Sequence, residues 1–264
     1  MTQIIGFVGF GNVNSILAQL AVNAGYQVAL SNSRGPSTLS DAVAKLGNKA
    51  SAGTVEEVVR QSDLVSVSVP LKSVEQLPAD EFAGKIVIDS MNYYPQRDGH
   101  FEELDNRELT TSEWVQSRLK GSQVVKVFNN IDQFHLQYGA RPADDATRWA
   151  LPIAGDSEAK AQVSKFVDAI GFDPVDCGAL DESWRFQQNT PVYCTPYIGE
   201  WPEGARGDKM LEWVKTDHSK AVKTQDVLEL LAQANKLDPV GGVINLPPEY
   251  ASLFAGVRAM QQQM

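Results

Sequence analysis

The chain has 264 residues, of which 43% are hydrophobic and 21% charged, proportions typical of a globular protein with a sizeable core. The formal net charge of −10 argues against nucleic acid or a membrane surface as main partner, because both attract clustered Lys and Arg. Cys177 and Cys194 show no metal-finger or disulfide spacing, so no metal site is predicted. The first residues, Met1-Thr2-Gln3, lack the positive charge of a signal peptide, and we expect a cytoplasmic protein.

Strands and helices alternate through the first half of the chain. The apolar run at residues 4–8 predicts a buried strand, and apolar residues at helical spacing after Asn12 predict a helix that Gly25 ends. Further strands are predicted at residues 27–31, 64–69, 85–89 and 124–128, and further helices at residues 37–46, 54–61 and 114–120. This alternation is typical of a doubly wound parallel sheet of the Rossmann type.

The second half has a weaker pattern. We predict strands at residues 151–154 and 172–177 and helices at residues 157–170, 223–236 and 248–262, whereas residues 184–206 are rich in Pro and aromatics without a clear period. We therefore expect an α/β fold with a cofactor-binding Rossmann domain at residues 1–130. Residues 131–264 should form a smaller C-terminal α+β region for the substrate or for oligomerisation. The last helix, with Leu253, Phe254 and Val257, could pack within the chain or form a homodimer.

The first strand-to-helix junction carries the pair Gly9-x-Gly11. Gly9 permits a tight turn, Gly11 lets the backbone approach a pyrophosphate, and the helix that begins at Asn12 and Val13 offers N–H groups and a positive dipole end. Asn14 stands where the G-x-G-x-x-G pattern has its third glycine, so we expect a small displacement of the helix there. A βα turn without ligand is the alternative, but the position after the first strand favours a dinucleotide site.

The residues after the second strand indicate which dinucleotide binds. An NAD site usually has an acidic residue here for the ribose 2′-OH. This chain has Ser31, Asn32, Ser33 and Arg34 instead, and no acidic residue occurs between Gly9 and Asp41. Hydroxyl, amide and guanidinium groups can bind a 2′-phosphate, which a carboxylate would repel. The sequence therefore predicts NADP(H), with a solvated loop arginine as the alternative.

Other strand ends supply further candidates, because ligands bind at the carboxyl edge of such sheets. Val69 and Pro70 follow one strand and could border the nicotinamide ribose. Asn92 and Asn129 follow two others and could bind ribose or carboxamide groups. Ordinary turn chemistry explains each of these residues about as well when it is taken singly.

Five segments together resemble the NADP oxidoreductase family named for the deazaflavin coenzyme F420, in a bacterial branch. The most distinctive is Ser31-Asn32-Ser33-Arg34-Gly35-Pro36. The others are residues 6–13, residues 89–95 with 97–99, residues 125–130 and residues 151–156. The resemblance covers roughly residues 1–180 and implies that Ser31, Asn32, Ser33 and Arg34 bind the 2′-phosphate. Asn14 and a longer tail after about residue 200 depart from the family pattern.

The resemblance implies hydride transfer between NADPH and a small acceptor. The acceptor would be flavin-like, namely coenzyme F420, FMN or FAD, or it would be another small molecule. Such a reaction needs stacked rings and no dedicated acid, and no acid–base pair stands out. We leave two alternatives open, namely an NADP(H) sensor without turnover and a carbonyl or imine reductase whose proton donor would be Lys126, His135 or Tyr93. We expect His100 and His218 to be structural and both cysteines to be inert. Other candidates for contact with the acceptor are Tyr93, Tyr94, Trp184, Arg185, Phe186, Tyr193 and Tyr197.

Overall fold

The computed structural model describes residues 3–216, 221–242, 249, 252 and 253. In this part of the chain eight strands form one sheet. The strands are β1 (Ile4–Val8), β2 (Gln27–Ser31), β3 (Ala50–Ala52), β4 (Leu64–Val67), β5 (Ile86–Asp89), β6 (Gln123–Lys126), β7 (Ala150–Gly155) and β8 (Asp173–Asp176).

The strand order is β3-β2-β1-β4-β5-β6-β7-β8. Strands β1 to β6 run parallel, so their carboxyl ends lie at one edge of the sheet. Because β1 lies between β2 and β4, the chain changes winding direction there and opens a crevice at that edge. β7 pairs antiparallel with β6, and β8 is parallel to β7.

Eleven α-helices accompany the described strands. They are α1 (Asn12–Asn23), α2 (Ser40–Leu46), α3 (Val55–Gln61), α4 (Pro95–Asp98), α5 (Glu102–Asp105), α6 (Thr111–Arg118), α7 (Gln133–Tyr138), α8 (Ser157–Ala169), α9 (Thr195–Ile198), α10 (Asp208–Thr216) and α11 (Thr224–Ala232). Short 3₁₀ helices occur at Pro36–Leu39, Gly47–Lys49, Leu71–Gln76, Ala79–Phe82 and Leu180–Phe186. None of the helices in the described ranges is long and apolar enough to cross a membrane.

Helices cover both faces of the sheet. One buried cluster contains Leu17 of α1 and Phe166 of α8, and a separate cluster contains Val58 of α3 and Trp114 of α6. The strands between them are buried on both sides, which explains their nearly continuous apolar runs. The predicted doubly wound α/β fold is therefore confirmed.

The predicted elements agree with most of the observed ones, and the differences have local causes. β3 and α7 are short and lacked an apolar pattern long enough to detect. β6 ends at Lys126, two residues earlier than expected, because the backbone turns to a positive φ of 66° at Phe128. Most of the predicted helix 248–262, with Phe254 and Val257, lies outside the described residues, but Leu253 packs within the chain against Phe134 and Met210.

Candidate functional site

The turn after β1 has room for glycine alone at position 9. Gly9 has a φ of +81°, and a Cβ there would lie 2.4 Å from the carbonyl oxygen of Ser68 and 2.6 Å from Cγ1 of Val69. The Gly9 N–H donates to Ser31 O at 3.1 Å. The turn is thus held against the ends of both β2 and β4, at the point where the crevice opens.

Gly11 has the opposite surroundings. Its φ of −95° suits any residue, and a Cβ there would meet nothing within 4 Å. It precedes α1, which has no acidic residue in its first turn and no side-chain cap at Gly11. Asn12 is exposed and Val13 is half-buried at this end of the helix. A helix N-terminus that has no side-chain cap at Gly11 fits the pyrophosphate of a dinucleotide.

Asn14 ties α1 to the sheet where the family pattern has glycine. Its side chain is buried, and Nδ2 donates to Val8 O at 3.1 Å and Gly9 O at 2.8 Å. Ser66 Oγ donates to Asn14 Oδ1 at 2.7 Å. These hydrogen bonds fix the glycine turn relative to β1 and β4, so a larger side chain is accommodated without loss of order in the turn.

The loop after β2 presents its polar groups in two ways. Ser33 and Arg34 are exposed, and no acidic residue lies nearby in the sequence before Asp41. Asn32 shapes the loop, because its Oδ1 accepts from Arg34 N at 2.9 Å and its Nδ2 donates to Thr38 Oγ1 at 2.9 Å. These hydrogen bonds of Asn32 therefore stabilise the turn that contains Arg34.

Ser31 lies inside the sheet rather than on the loop. It is fully buried, and its hydroxyl donates to Phe7 O at 3.3 Å. A direct role of Ser31 in binding a phosphate stays a prediction. In this arrangement Ser33 and Arg34 are the loop residues that present side chains to the surface.

Val69 and Pro70 border the same crevice beyond β4. Val69 is half-buried and lies against the Gly9 turn, and Pro70 is exposed. A place for both residues beside the nicotinamide ribose stays a prediction.

Asn92 and Asn129 meet at the carboxyl ends of β5 and β6. Asn92 Nδ2 donates to Asn129 O at 2.9 Å, and Asn129 Nδ2 donates to Asn92 Oδ1 at 3.3 Å and to Phe186 O at 2.8 Å. Asn129 is only 3% exposed, yet its Oδ1 has no hydrogen-bond partner among the described residues. A buried acceptor without a donor is energetically costly.

Lys126 is buried beneath this edge as part of a structural ion pair. Its Nζ lies 3.1 Å from Asp89 Oδ2 and donates to Met91 O at 2.5 Å. Ser112 Oγ also donates to Asp89 Oδ2, at 2.6 Å. Burial lowers the pKa of Lys126, and the Asp89 carboxylate opposes that shift. These contacts hold the start of the segment after β5, and they occupy Lys126 as a structural group.

The other two suspected proton donors also face protein partners. Tyr93 OH donates to Asp105 Oδ1 at 2.8 Å and accepts from Phe101 N at 3.1 Å. Burial raises the pKa of Tyr93 to about 12. His135 Nδ1 lies 2.5 Å from Asp132 Oδ2 and its ring stacks on Trp149 at 5.3 Å.

The next candidates are the other two histidines, Tyr197 and Trp184. His100 pairs with Asp105 on the surface, and His218 lies outside the described residues. Tyr197 is saturated, because its OH donates to Ala150 O at 2.9 Å and accepts from Asn130 Nδ2 at 3.1 Å. The ring of Trp184 is covered by two cations, with Arg185 Cζ at 4.6 Å and Lys236 Nζ at 5.3 Å from its centroid.

Phe186 and the two cysteines are packing residues in this structure. Phe186 is fully buried and offers only its carbonyl to Asn129. Burial raises the pKa of the Cys177 thiol to about 12 and raises that of Cys194 well above its ordinary value, so both thiols stay protonated at neutral pH. By contrast, Tyr94 OH lies 3.1 Å from Tyr193 OH beside Asn92, a pairing that the sequence did not predict.

Comparison with known families agrees with this geometry. Residues 4–93 match the sequence model of the family described as NADP oxidoreductase, coenzyme F420-dependent. This stretch of the chain is therefore similar to that family of NADP oxidoreductases. The match spans the glycine turn, the loop after β2 and Asn92, so the similarity to the family and the candidate site lie in the same part of the fold.

Relatives of this chain include larger proteins. It is 32% identical over 178 residues to Metalloreductase STEAP3 of Rattus norvegicus, an alignment that covers 67% of this chain and 34% of the relative. The chain thus matches about a third of that protein's length.

Solved structures share the fold. The hypothetical protein SMa0349 from Sinorhizobium meliloti is 28% identical with a TM-score of 0.62, over 73% of this chain and 93% of that one. A candidate F420-dependent NADP reductase from Arthrobacter sp. FB24 is 21% identical with a TM-score of 0.56, over 66% of this chain and 84% of that one.

Proposed function

We propose that this chain is an NADP(H)-dependent oxidoreductase whose acceptor is flavin-like, either the deazaflavin coenzyme F420 or FMN or FAD, or another small molecule. When bound, NADPH supplies the hydride, and the protein orients the two reactants. In this proposal residues 1–130 bind the cofactor and residues 131–264 complete the acceptor side.

The contrast between the two glycines carries the proposal. Position 9 requires glycine, because its φ is positive and a Cβ would clash with Ser68 O. At position 11 the fold would tolerate a side chain, because a Cβ would meet no described atom within 4 Å. Glycine at such an open position suits a ligand that approaches the backbone closely. The Gly11 turn, Asn12 and Val13 would hold the pyrophosphate, and Ser33 and Arg34 would bind the 2′-phosphate.

The nicotinamide end would lie toward β4, β5 and β6. Val69 and Pro70 would border the ribose, and the unpartnered Oδ1 of Asn129 would accept from the carboxamide N–H. Asn92 would hold Asn129 in place through their mutual hydrogen bonds. This assignment would give a partner to Asn129 Oδ1, one of several buried side-chain atoms that have none among the described residues.

The variant Gly11→Ala tests this site without disturbing the fold. A methyl group at Gly11 has free space and an allowed φ, so the variant should fold, with thermal stability lowered only by the modest cost of alanine at a helix N-cap. The same methyl group should block the pyrophosphate and raise the Kd for NADPH, measured by calorimetry, by at least about tenfold, equivalent to about 1.4 kcal/mol. Oxidation of NADPH, followed by absorbance with deazaflavin, FMN, FAD and simple carbonyls, should fall in parallel.

The control for this test is Asn23→Ala at the other end of α1, where an exposed side chain pairs with Gln19. Its NADPH affinity should equal that of wild type. Equal affinity of Gly11→Ala and wild type would rule out the pyrophosphate site. Tight NADPH binding by wild type without turnover of any acceptor would favour the sensor alternative instead.

A further inference from the structure

Two tyrosines distant in sequence meet beside the proposed nicotinamide end of the site. Tyr94 follows β5 and Tyr193 precedes α9, and their hydroxyl oxygens are 3.1 Å apart. The amide of Asn92 lies beside the Tyr94 hydroxyl. Tyr193 is buried and Tyr94 is half-buried, so Tyr94 lies nearer to the surface.

Tyr94 is held rigidly. Arg97 Cζ lies 4.8 Å from the centroid of its ring, and Arg97 itself is fixed by Asp98 and by Asn92 O. The backbone N–H of Tyr94 donates to Asp98 Oδ2 at 3.1 Å. A donor that is already fixed in place loses little conformational entropy when a ligand arrives.

The hydrogen bond between Tyr94 and Tyr193 uses only one of their two hydroxyl protons. Two hydroxyls carry two protons, and one of them bridges Tyr94 and Tyr193. The other polar groups beside the pair are the Asn92 amide, whose Nδ2 and Oδ1 each form a hydrogen bond with Asn129, and the weakly accepting Cys194 thiol. Tyr93 and Tyr197, by comparison, each donate to a good oxygen acceptor of the protein.

Both hydroxyls are neutral at physiological pH, because burial raises the pKa of Tyr94 and raises that of Tyr193 further. A neutral O–H beside an aromatic ring suits a carbonyl oxygen on a planar acceptor better than it suits a charged group. If the buried Tyr193 donates to Tyr94, it also polarises the Tyr94 O–H and strengthens it as a donor.

We propose that Tyr94, positioned by Tyr193, donates a hydrogen bond to a ring carbonyl oxygen of the hydride acceptor. The acceptor class is a flavin-type ring dione, a chemistry that flavins and deazaflavins share. This inference rests on the proposed function, since it places the acceptor next to the nicotinamide end of the cofactor site. Tyr94 would contact the acceptor, and Tyr193 would act through Tyr94.

The test uses the full chain loaded with NADP⁺, which binds without turnover. Riboflavin and 5-deazariboflavin, which differ only at ring position 5, are titrated while their fluorescence is followed. Tyr94→Phe should raise the Kd of the preferred ring between about twofold and tenfold, the range expected for one hydrogen bond. Tyr193→Phe should raise it less, and the double variant should be no worse than Tyr94→Phe alone.

Calorimetry with NADP⁺ alone separates this proposal from the proposed function, and all tyrosine variants should bind NADP⁺ like wild type. The matched control is Tyr93→Phe, which removes a hydroxyl that faces Asp105 instead, and its affinity for both rings should be unchanged. Equal ring affinity in wild type and Tyr94→Phe would overturn the inference, as would a wild type that binds neither ring. Absence of NADP⁺ binding would overturn the proposed function.

Discussion

Asn14 shows how one residue can take over a role that the family pattern gives to glycine. Glycine allows a helix to approach a strand closely, whereas the side chain of Asn14 fills that space. It is stabilised there by hydrogen bonds to three neighbours, Val8, Gly9 and Ser66. Its amide is fully buried, so these contacts form in a low dielectric where each one matters. The glycine turn that would hold the cofactor therefore depends on this side chain.

The variant Asn14→Ala should lower the free energy of unfolding by about 1–3 kcal/mol, because the carbonyls of Val8 and Gly9 lose a buried donor. Urea unfolding followed by tryptophan fluorescence measures this change. Asn14→Gly should lose the same hydrogen bonds, so the family residue should not restore stability here. Gln19→Ala on the exposed side of α1 is the control. A loss no greater than that of the control would show that the amide contributes little.

At the scale of elements, residues 239–241 of the tail pack against the segment that follows β5. Asn189 Nδ2 donates to Pro239 O at 2.8 Å and to Gly241 O at 2.7 Å. A Cβ on Gly241 would lie 2.8 Å from Pro95 Cδ, so this part of the tail packs directly on α4. This part of the tail thus contacts Pro95, the residue next to Tyr94.

The variant Asn189→Gly should release this part of the tail. Glycine tolerates the positive φ of 69° found at Asn189 and removes the side chain with its amide. Hydrogen–deuterium exchange of a peptide covering residues 236–242 should become faster, while exchange in β1 stays unchanged. The control Gln225→Ala removes an exposed pairing with Glu229 on α11 and should leave the tail unaffected. Unchanged exchange in Asn189→Gly would mean that other contacts hold the tail.

The elements of the parallel half could be predicted because each buried strand is a continuous apolar run that ends in a turn. The apolar pattern of a strand does not indicate whether it runs parallel or antiparallel to its neighbour. The antiparallel pairing of β7 with β6 was therefore not predicted. The three residues of β3, Ala50–Ala52, are too short and too weakly apolar to stand out. The early end of β6 follows from the positive φ of Phe128, a conformation that a bulky residue rarely adopts.

For the whole molecule, the predictable part of the site is the part encoded in consecutive residues. The glycine turn and the loop after β2 are local, so the sequence indicated both. The burial of Ser31 and the pairing of Tyr94 with Tyr193 depend on tertiary packing, and the two tyrosines are 99 residues apart. Tertiary packing also pairs Lys126 with Asp89 and Tyr93 with Asp105, contacts that the sequence did not predict.

The central claim is that the loop after β2 selects NADP(H) by binding its 2′-phosphate. Calorimetric titration of the full chain with NADPH and with NADH, for wild type and Arg34→Ala, measures this directly. Wild type should bind NADPH more tightly, and Arg34→Ala should weaken NADPH by about tenfold to about a hundredfold, the value of a charge-assisted contact, while NADH changes little. Tighter binding of NADH by wild type, or equal losses for both nucleotides in Arg34→Ala, would contradict the assignment.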